Sequence, residues 1–284
     1  MFEGFTLEDI EVSDGKLHVR HGGSGPPVLL LHGHPRTHMT WGQVADRLAK
    51  SFTVVCPDLR GFGRSFKPAD SADHEGSSKR AKARDAVELM RALGHERFAI
   101  VGHDRGSYVA FRAAMDYPEN IARLVVLDCV PILEALERAD ERFAQRWWHW
   151  FFFGVPEKPE RAIVADPDAW YGGSPDKMGL EAYEDFRRAT RDPPTVHTMV
   201  EDYRAGLTID RKHDLEDRAA QRVVQCPMLC LWSERDDLQL LYGDVLEVWR
   251  PWAKDVTGFG IDSGHHMAEE APGVLAEALI NFLK

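Results

Sequence analysis

The chain alternates short, continuously apolar segments with stretches of helical periodicity, and this alternation constrains its fold more than any other feature. Residues 27–32 read Pro-Val-Leu-Leu-Leu-His, as expected for a strand buried on both faces. A hairpin is predicted at 5–12 and 16–21, around Asp14-Gly15. Further strands are predicted at 52–56, 98–102, 122–127, 228–232 and 255–261. Helices are predicted near 41–50 and at 79–93, 107–116 and 273–283. The pattern predicts an α/β fold with a mostly parallel eight-stranded sheet and helices on both faces.

A long segment without strand-like runs separates the strands predicted at 122–127 and 228–232. It has helical patterning and a high density of aromatic side chains, including Trp147, Trp148, Trp150, Trp170 and three consecutive phenylalanines. We interpret residues 130–222 as a helical cap inserted into the α/β core. The core domain is then formed by residues 1–129 and 223–284.

Composition excludes several classes of function. The net charge is −11, and an acidic chain without a long basic run is a poor candidate for binding nucleic acid or an anionic membrane. The N-terminal residues lack the features of a signal peptide, and no apolar run approaches the ~20 residues that span a bilayer. The four cysteines form no CxxC pair, which favours free thiols in a reducing compartment. We expect a cytoplasmic protein with a small-molecule substrate.

The segment Gly102-His103-Asp104-Arg105-Gly106 follows a predicted strand and opens a predicted helix. Its pattern is typical of a nucleophile elbow, a strained turn that lifts its central side chain above the strand ends. The central residue is Asp104, and no Gly-x-Ser-x-Gly occurs elsewhere, so ester hydrolysis through a serine is disfavoured. A carboxylate there can attack a saturated carbon and form an ester that water cleaves. The alternative is that Asp104 caps the following helix.

Cleavage of such an ester needs a base that activates water, and the base needs an orienting acid. We assign His265 as the base because it directly follows a glycine after the last predicted strand, with His266 as a neighbouring packing residue. Asp128 is the preferred acid because it ends the strand predicted at 122–127. Asp236, which lies with Asp237 after the strand predicted at 228–232, is the alternative.

Two backbone donors are expected to stabilise the oxyanion, the N–H groups of His34 and Arg105. The segment that contains His34 also fits a simple tight turn. Two pairs of histidines lie close together in the sequence, His32 with His34 and His265 with His266. Neither pair has a carboxylate or cysteine at the spacing that would complete a metal site. We therefore predict no metal and no cofactor.

The chain resembles the α/β-hydrolase superfamily over essentially its whole length, and within it the haloacetate (fluoroacetate) dehalogenases, which are related to epoxide hydrolases. The resemblance depends on the combination of seven segments, since any one of them alone would be weak evidence. They are His32-Gly33-His34-Pro35, Pro57-Asp58-Leu59-Arg60-Gly61, Gly102-His103-Asp104-Arg105-Gly106, Leu127-Asp128, Trp148-His149-Trp150, Glu201-Asp202-Tyr203-Arg204-Ala205-Gly206 and Gly264-His265.

The resemblance implies roles for further residues. Arg105 matches an arginine that binds the substrate carboxylate, and three cap residues match donors that hold the departing halide: His149, Trp150 and Tyr203. Simple aromatic packing is the alternative for these three and the preferred interpretation of Trp147 and Trp148.

One position departs from the family pattern. Tyr108 stands where the family has a second carboxylate-binding arginine. Arg36 and Arg112 are the candidates to compensate, although we expect Arg112 to face outward on its helix. Loss of one charge-assisted bond of about 1.5–3 kcal/mol weakens binding of a haloacid.

These residues predict a hydrolytic dehalogenase of short 2-haloacids, such as fluoroacetate or chloroacetate. The alternative is an epoxide hydrolase with the same Asp-His-Asp triad. There, Tyr203 would donate a proton together with His149, Tyr171 or Tyr183. A non-enzymatic binding module on the same scaffold is a third hypothesis. The resemblance also implies a homodimer.

Overall fold

A computed structural model describes residues 1–284, and its centre is a single eight-stranded sheet. The strand order is β1-β2-β4-β3-β5-β6-β7-β8, with β1 and β2 antiparallel and the remaining strands parallel to one another. The strands are β1 (Thr6–Val12), β2 (Gly15–Gly23), β3 (Pro27–Leu31), β4 (Thr53–Pro57), β5 (Phe98–His103), β6 (Ile121–Leu127), β7 (Met228–Ser233) and β8 (Val256–Ile261). All eight predicted strands are confirmed, with ends that differ by at most two residues.

The inner strands of the sheet are buried on both faces. Every residue of β5 is buried, as are the last four residues of β3 and of β4. Their runs of Val, Leu and Ile are apolar on both sides because helices cover both faces of a parallel sheet. The sequence pattern therefore predicted these strands well.

Sixteen α-helices surround and extend this sheet. They are α1 (Gly42–Leu48), α2 (Lys79–Ala92), α3 (Arg105–Asp116), α4 (Ile132–Glu137), α5 (Glu141–Arg146), α6 (Trp148–Phe153), α7 (Lys158–Ala165), α8 (Pro167–Trp170), α9 (Pro175–Met178), α10 (Leu180–Thr190), α11 (Pro193–Ala205), α12 (Arg211–Ala219), α13 (Leu238–Tyr242), α14 (Val245–Trp249), α15 (Met267–Glu270) and α16 (Pro272–Leu283). Short 3₁₀ helices lie at His38–Trp41, Glu75–Ser77 and Arg250–Trp252, and one π-helical turn lies at Gly206–Asp210. No helix is long and apolar enough to cross a membrane.

The segment between β6 and β7 contains nine α-helices, α4 to α12, and no strand. We call it the cap and keep residues 130–222 as its proposed extent. Its α11 ends in the π-helical turn, and α12 follows without a break. π-helical turns are rare and are often found near functional sites.

Buried ion pairs join the end of the cap to α2 and α3 of the core. Asp202 of α11 accepts hydrogen bonds from Lys79, Lys82 and Arg105, and these side chains are almost fully buried. Each charge is stabilised by its partners, so removal of one would leave others uncompensated.

The outward orientation expected for Arg112 is wrong. Its side chain is 2% exposed, and it donates hydrogen bonds to Asp214 at 2.8 Å and Asp217 at 2.6 Å in the cap. The sequence did not show that the outer face of α3 would be covered by α12. Arg36 is also buried and is paired with Glu269 at 2.9 Å. Both arginines are therefore held by carboxylates of the chain.

Candidate active site

The turn that carries Asp104 is strained and tightly packed. Asp104 lies between the end of β5 and the start of α3 with φ 51° and ψ −120°, a conformation that L-residues rarely adopt. A Cβ at Gly102 would lie 2.2 Å from the carbonyl oxygen of Gly106, and one at Gly106 would lie 2.4 Å from that of His32. The two glycines are therefore required for the close approach of strand and helix. Asp104 makes no side-chain cap hydrogen bond to α3, so the alternative interpretation as a helix cap lacks its characteristic contact.

The two carboxylate oxygens of Asp104 have different surroundings. Oδ1 accepts a hydrogen bond from the backbone N–H of His34 at 2.6 Å. The backbone N–H of Arg105, the other expected donor, lowers the pKa of the carboxylate. Oδ2 lies 3.9 Å from Nε2 of His265. Burial alone would raise the pKa of Asp104, but the nearby charges of His265 and Arg105 outweigh it and lower the pKa. Asp104 is therefore an anion, with Oδ2 facing His265.

His265 lies between Asp104 and two further carboxylates. Its Nδ1 is 2.7 Å from Oδ2 of Asp128 and 3.2 Å from Oδ2 of Asp236. Burial would lower the pKa of His265, but these two carboxylates and the charge of Asp104 raise it well above its ordinary value. Both alternatives for the acid therefore reach the histidine.

Asp128 is the more enclosed of the two acids. It has φ 55° at the end of β6, and its Oδ1 accepts a hydrogen bond from the backbone N–H of Ser233 at 3.0 Å. Burial raises the pKa of Asp128, and the hydrogen bond from His265 opposes this shift. Asp236 is more exposed, and its close contact with His265 lowers its pKa despite partial burial. Asp237, which follows it, instead accepts a hydrogen bond from Nε1 of Trp147 at 2.8 Å.

Two other histidines pack around His265. Nε2 of His103 donates a hydrogen bond to the carbonyl oxygen of His265 at 2.7 Å. The ring of His266 lies 5.1 Å from that of His265, and its Nδ1 is buried without a partner. Burial lowers the pKa of both His103, to about 3, and His266, so both rings are neutral. His266 thus contacts His265 and His103 as a packing neighbour.

In each of two groups of side chains, three potential metal ligands lie close together. They are His103 with His265 and His266, and Asp128 with Asp236 and His265. Both groups depend on His265, whose Nδ1 is already hydrogen bonded to Asp128. The cysteines are not part of either group, and three of the four are buried: Cys56, Cys129 and Cys230.

Arg105 is enclosed next to Asp104. Its Nε and Nη2 donate hydrogen bonds to the side chain and the carbonyl oxygen of Asp202, respectively. Its guanidinium carbon lies 4.1, 5.1 and 5.3 Å from the ring centroids of Tyr203, Tyr108 and Trp150. Nη1 has no hydrogen-bond partner and is buried. One nitrogen of Arg105 therefore remains for a ligand, beneath the aromatic rings.

The three residues matched to the halide pocket lie together on α6 and α11. The rings of His149 and Tyr203 are 5.7 Å apart, and those of Trp150 and Tyr203 are 6.1 Å apart. Burial lowers the pKa of His149 to about 4 and raises that of Tyr203, so both are neutral. Neutral imidazole, indole and phenol groups each have a hydrogen to donate. None of these three side chains forms a hydrogen bond within the chain.

A cavity of about 190 Å³ lies beside Asp104, and its lining includes His149 and Trp150 but neither Tyr203 nor Arg105. It is lined by Asp104, Tyr108, Asp128, Arg146, Trp147, His149, Trp150, Asp236, Asp237 and His265. Trp147, which we interpreted as a packing residue, contributes to the lining and also stacks on Trp150 at 5.3 Å. Trp148 is exposed and packs against Trp170.

Sequence reasoning did not identify two charged residues of this region. Asp202 lies inside a segment that we quoted for the resemblance, but no sequence pattern shows that it binds Arg105. Arg146 lines the cavity from the last residue of α5. Its position next to Trp147 and three residues before His149 is the one signal that could have identified it.

The sheet order, the elbow and the inserted helices define an α/β hydrolase, and comparison with known families agrees. The family model for the alpha/beta hydrolase fold matches residues 26–270. The chain therefore belongs to the α/β-hydrolase family.

Three individual relatives match almost the whole chain. The chain is 40% identical to a fluoroacetate dehalogenase of a Burkholderia species, over 100% of this chain and 95% of the relative. It is 31% identical to a soluble epoxide hydrolase of Corynebacterium sp. (strain C12), over 98% and 96% of the two chains. Among solved structures, a protein of Nostoc sp. PCC 7120 described as an α/β hydrolase superposes with a TM-score of 0.96 at 39% identity. That match covers 100% of this chain and 99% of the other.

Proposed function

We propose that the protein is a hydrolytic dehalogenase of short 2-haloacids, with Asp104 as the nucleophile. The observation that carries the proposal is the arrangement around Asp104. One carboxylate oxygen accepts a hydrogen bond from the backbone N–H of His34, and the other faces His265 at 3.9 Å. The similarity to a fluoroacetate dehalogenase over the whole chain supports the same reaction class.

In the first step Oδ2 of Asp104 attacks the carbon that bears the halogen. The new O–C bond forms as the C–X bond breaks, and the halide leaves with the electron pair of that bond. The hydrogens of His149, Trp150 and Tyr203 are available to the departing halide because they have no partner within the chain. Such donors stabilise charge as it develops, which matters most for fluoride.

In the second step water cleaves the ester. His265 Nε2 removes a proton from a water molecule, and the resulting hydroxide attacks Cγ of Asp104. The oxygen that becomes negative is Oδ1, which already accepts the hydrogen bond from the N–H of His34. As this intermediate collapses, the bond between Cγ and the ester oxygen breaks, and the departing oxygen takes the proton held by His265, which releases the hydroxy acid. The Asp104 carboxyl then loses its remaining proton to solvent and is a carboxylate again.

Esterification changes the basicity of His265 at the required moment. The charge of Asp104 is one cause of the raised pKa of His265. The ester is neutral, so that contribution disappears once the halide has left. The pKa of His265 then falls, and the imidazole is more readily available as a base.

A single turnover in ¹⁸O-labelled water tests this mechanism with chloroacetate. If water attacks the ester at Cγ, the label enters Asp104 and the first product molecule remains unlabelled. Direct attack of water on the substrate would label the product and leave Asp104 unlabelled, which contradicts the proposal. An Asp104→Asn variant serves as the control for halide release.

The second candidate is epoxide hydrolysis, and the surroundings of Arg105 favour it. An arginine bound to Asp202 and covered by three rings is a poorer carboxylate ligand than a free one. Tyr203 and His149 could donate to an epoxide oxygen, whereas Tyr183 packs against Phe186. Tyr171 lies 5.1 Å from His34, and its hydroxyl is buried without a partner. Diol formation from styrene oxide that is lost in Asp104→Asn would establish this activity.

A further inference from the structure

The cavity beside Asp104 has an unusual balance of charge. Four of its ten lining residues are aspartates: Asp104, Asp128, Asp236 and Asp237. Its one arginine is Arg146, and Arg105 does not contribute to the lining. An anion that enters this cavity meets carboxylates on several sides, so a cation in the wall has a large effect on which substrates can bind.

Arg105 is not placed to meet an incoming anion. The residue is 1% exposed, and the rings of Tyr203, Tyr108 and Trp150 lie over its guanidinium. Two of its nitrogens already bind Asp202. Its remaining nitrogen, Nη1, is buried without a partner.

Arg146 has the opposite properties. It is exposed, lines the cavity and has no ion pair within the chain, whereas Arg142, one turn earlier on α5, is paired with Asp140 at 3.1 Å. The backbone beside Arg146 is anchored because the side chain of Trp147 donates a hydrogen bond to Asp237 and stacks on Trp150. Its unpaired guanidinium therefore has five donors free for a planar carboxylate.

We propose that Arg146 binds the carboxylate of an anionic substrate at the mouth of this cavity and thereby determines the preference for charged over neutral substrates. The inference rests on the proposed function, because it concerns the substrate of the same nucleophile. It assigns to a cap residue a cationic contact that Tyr108, a neutral side chain, does not provide.

The test compares chloroacetate with chloroacetamide, which has nearly the same shape and no charge. In Arg146→Gln we expect KM for chloroacetate to rise about tenfold or more, which corresponds to loss of one charge-assisted hydrogen bond, with little change in kcat. Chloroacetamide kinetics should not change. Arg146→Lys should retain part of the effect because it keeps the charge and loses the planar fork.

Arg142→Gln is the matched control, since it removes the same charge from the same helix outside the cavity lining. It should leave KM for chloroacetate within about twofold. Added salt should raise KM for chloroacetate in the wild type and much less in Arg146→Gln, because screening weakens the same interaction. An unchanged KM for chloroacetate in Arg146→Gln, or equal effects on both substrates, would overturn the inference.

Failure of the proposed function would be recognised separately. If the wild type releases no halide from either compound, the dehalogenase proposal fails, and binding of acetate and acetamide is measured by calorimetry instead. Weaker binding of acetate to Arg146→Gln, with acetamide unchanged, would still support the role of Arg146. Equal binding of acetate to both proteins would contradict it.

Discussion

The carboxylates of Asp128 and Asp236 converge on one nitrogen, Nδ1 of His265, at 2.7 and 3.2 Å. An imidazole has a single hydrogen at that position, so two acids compete to accept it. Asp128 follows β6 and Asp236 follows β7, and these strands are neighbours in the sheet. Either carboxylate is placed to orient His265 when the other is removed.

We therefore expect substitution of either acid alone to be tolerated better than substitution of both. Asp128→Asn and Asp236→Asn should each retain measurable dehalogenation. Asp128→Asn should be slower because the contact of His265 with Asp128 is shorter and more buried than that with Asp236. The double variant should release one equivalent of halide and then stop, with the ester on Asp104 detected by mass spectrometry of the intact protein. Complete loss of turnover in Asp128→Asn alone would show that Asp236 does not substitute for it.

The rate of ester hydrolysis should rise with pH over the acidic part of the pH range. Asp128 and Asp236 raise the pKa of His265, and both remain charged when Asp104 is esterified, so the base form becomes available at higher pH than without them. Removing the carboxylate of Asp236 lowers that pKa, so the acid limb of Asp236→Asn should shift to lower pH. The measurement is the pH dependence of ester hydrolysis in single turnovers. A shift to higher pH, or none, would contradict this assignment.

Fluoride release should be more sensitive to the cap donors than chloride release. Tyr203→Phe removes a hydroxyl that has no partner within the chain and keeps the ring over Arg105. Fluoride is the poorer leaving group and the stronger hydrogen-bond acceptor, so we expect about 10- to 100-fold slower fluoride release, with a smaller effect on chloride. Both rates are followed with ion-selective electrodes. Equal losses for the two halides would indicate a packing role for Tyr203.

Asp202→Asn should destabilise the fold strongly. It leaves Lys79, Lys82 and Arg105 buried without the carboxylate that they share. Breaking a buried ion pair in this way costs about 3–5 kcal/mol, measured as the free energy of unfolding in urea. Asp168→Asn is the matched control, since this exposed carboxylate also contacts two arginines, Arg187 and Arg191, and should cost less than about 1 kcal/mol. A similar loss of unfolding free energy in both variants would show that the buried ion pairs of Asp202 are not the cause of the destabilisation.

Much of the fold could be predicted because its signals are local. The apolar strand segments, the Asp14-Gly15 hairpin and the glycines around Asp104 each depend on a few neighbouring residues. The closeness of Asp104 and His265 could also be predicted, because the carboxyl ends of parallel strands meet at one edge of a sheet. Arg112 was predicted wrongly because its partners, Asp214 and Asp217, lie about one hundred residues away.

The sequence by itself determined the class of fold, the carboxylate in the elbow and the residues able to act with it. The tertiary structure decided how charge is distributed among them. It placed both Asp128 and Asp236 on His265, bound Arg105 to Asp202 beneath three rings and left Arg146 unpaired in the cavity wall. Electrostatic interactions depend on distance and burial between residues far apart in the chain, and local sequence patterns carry no information about either.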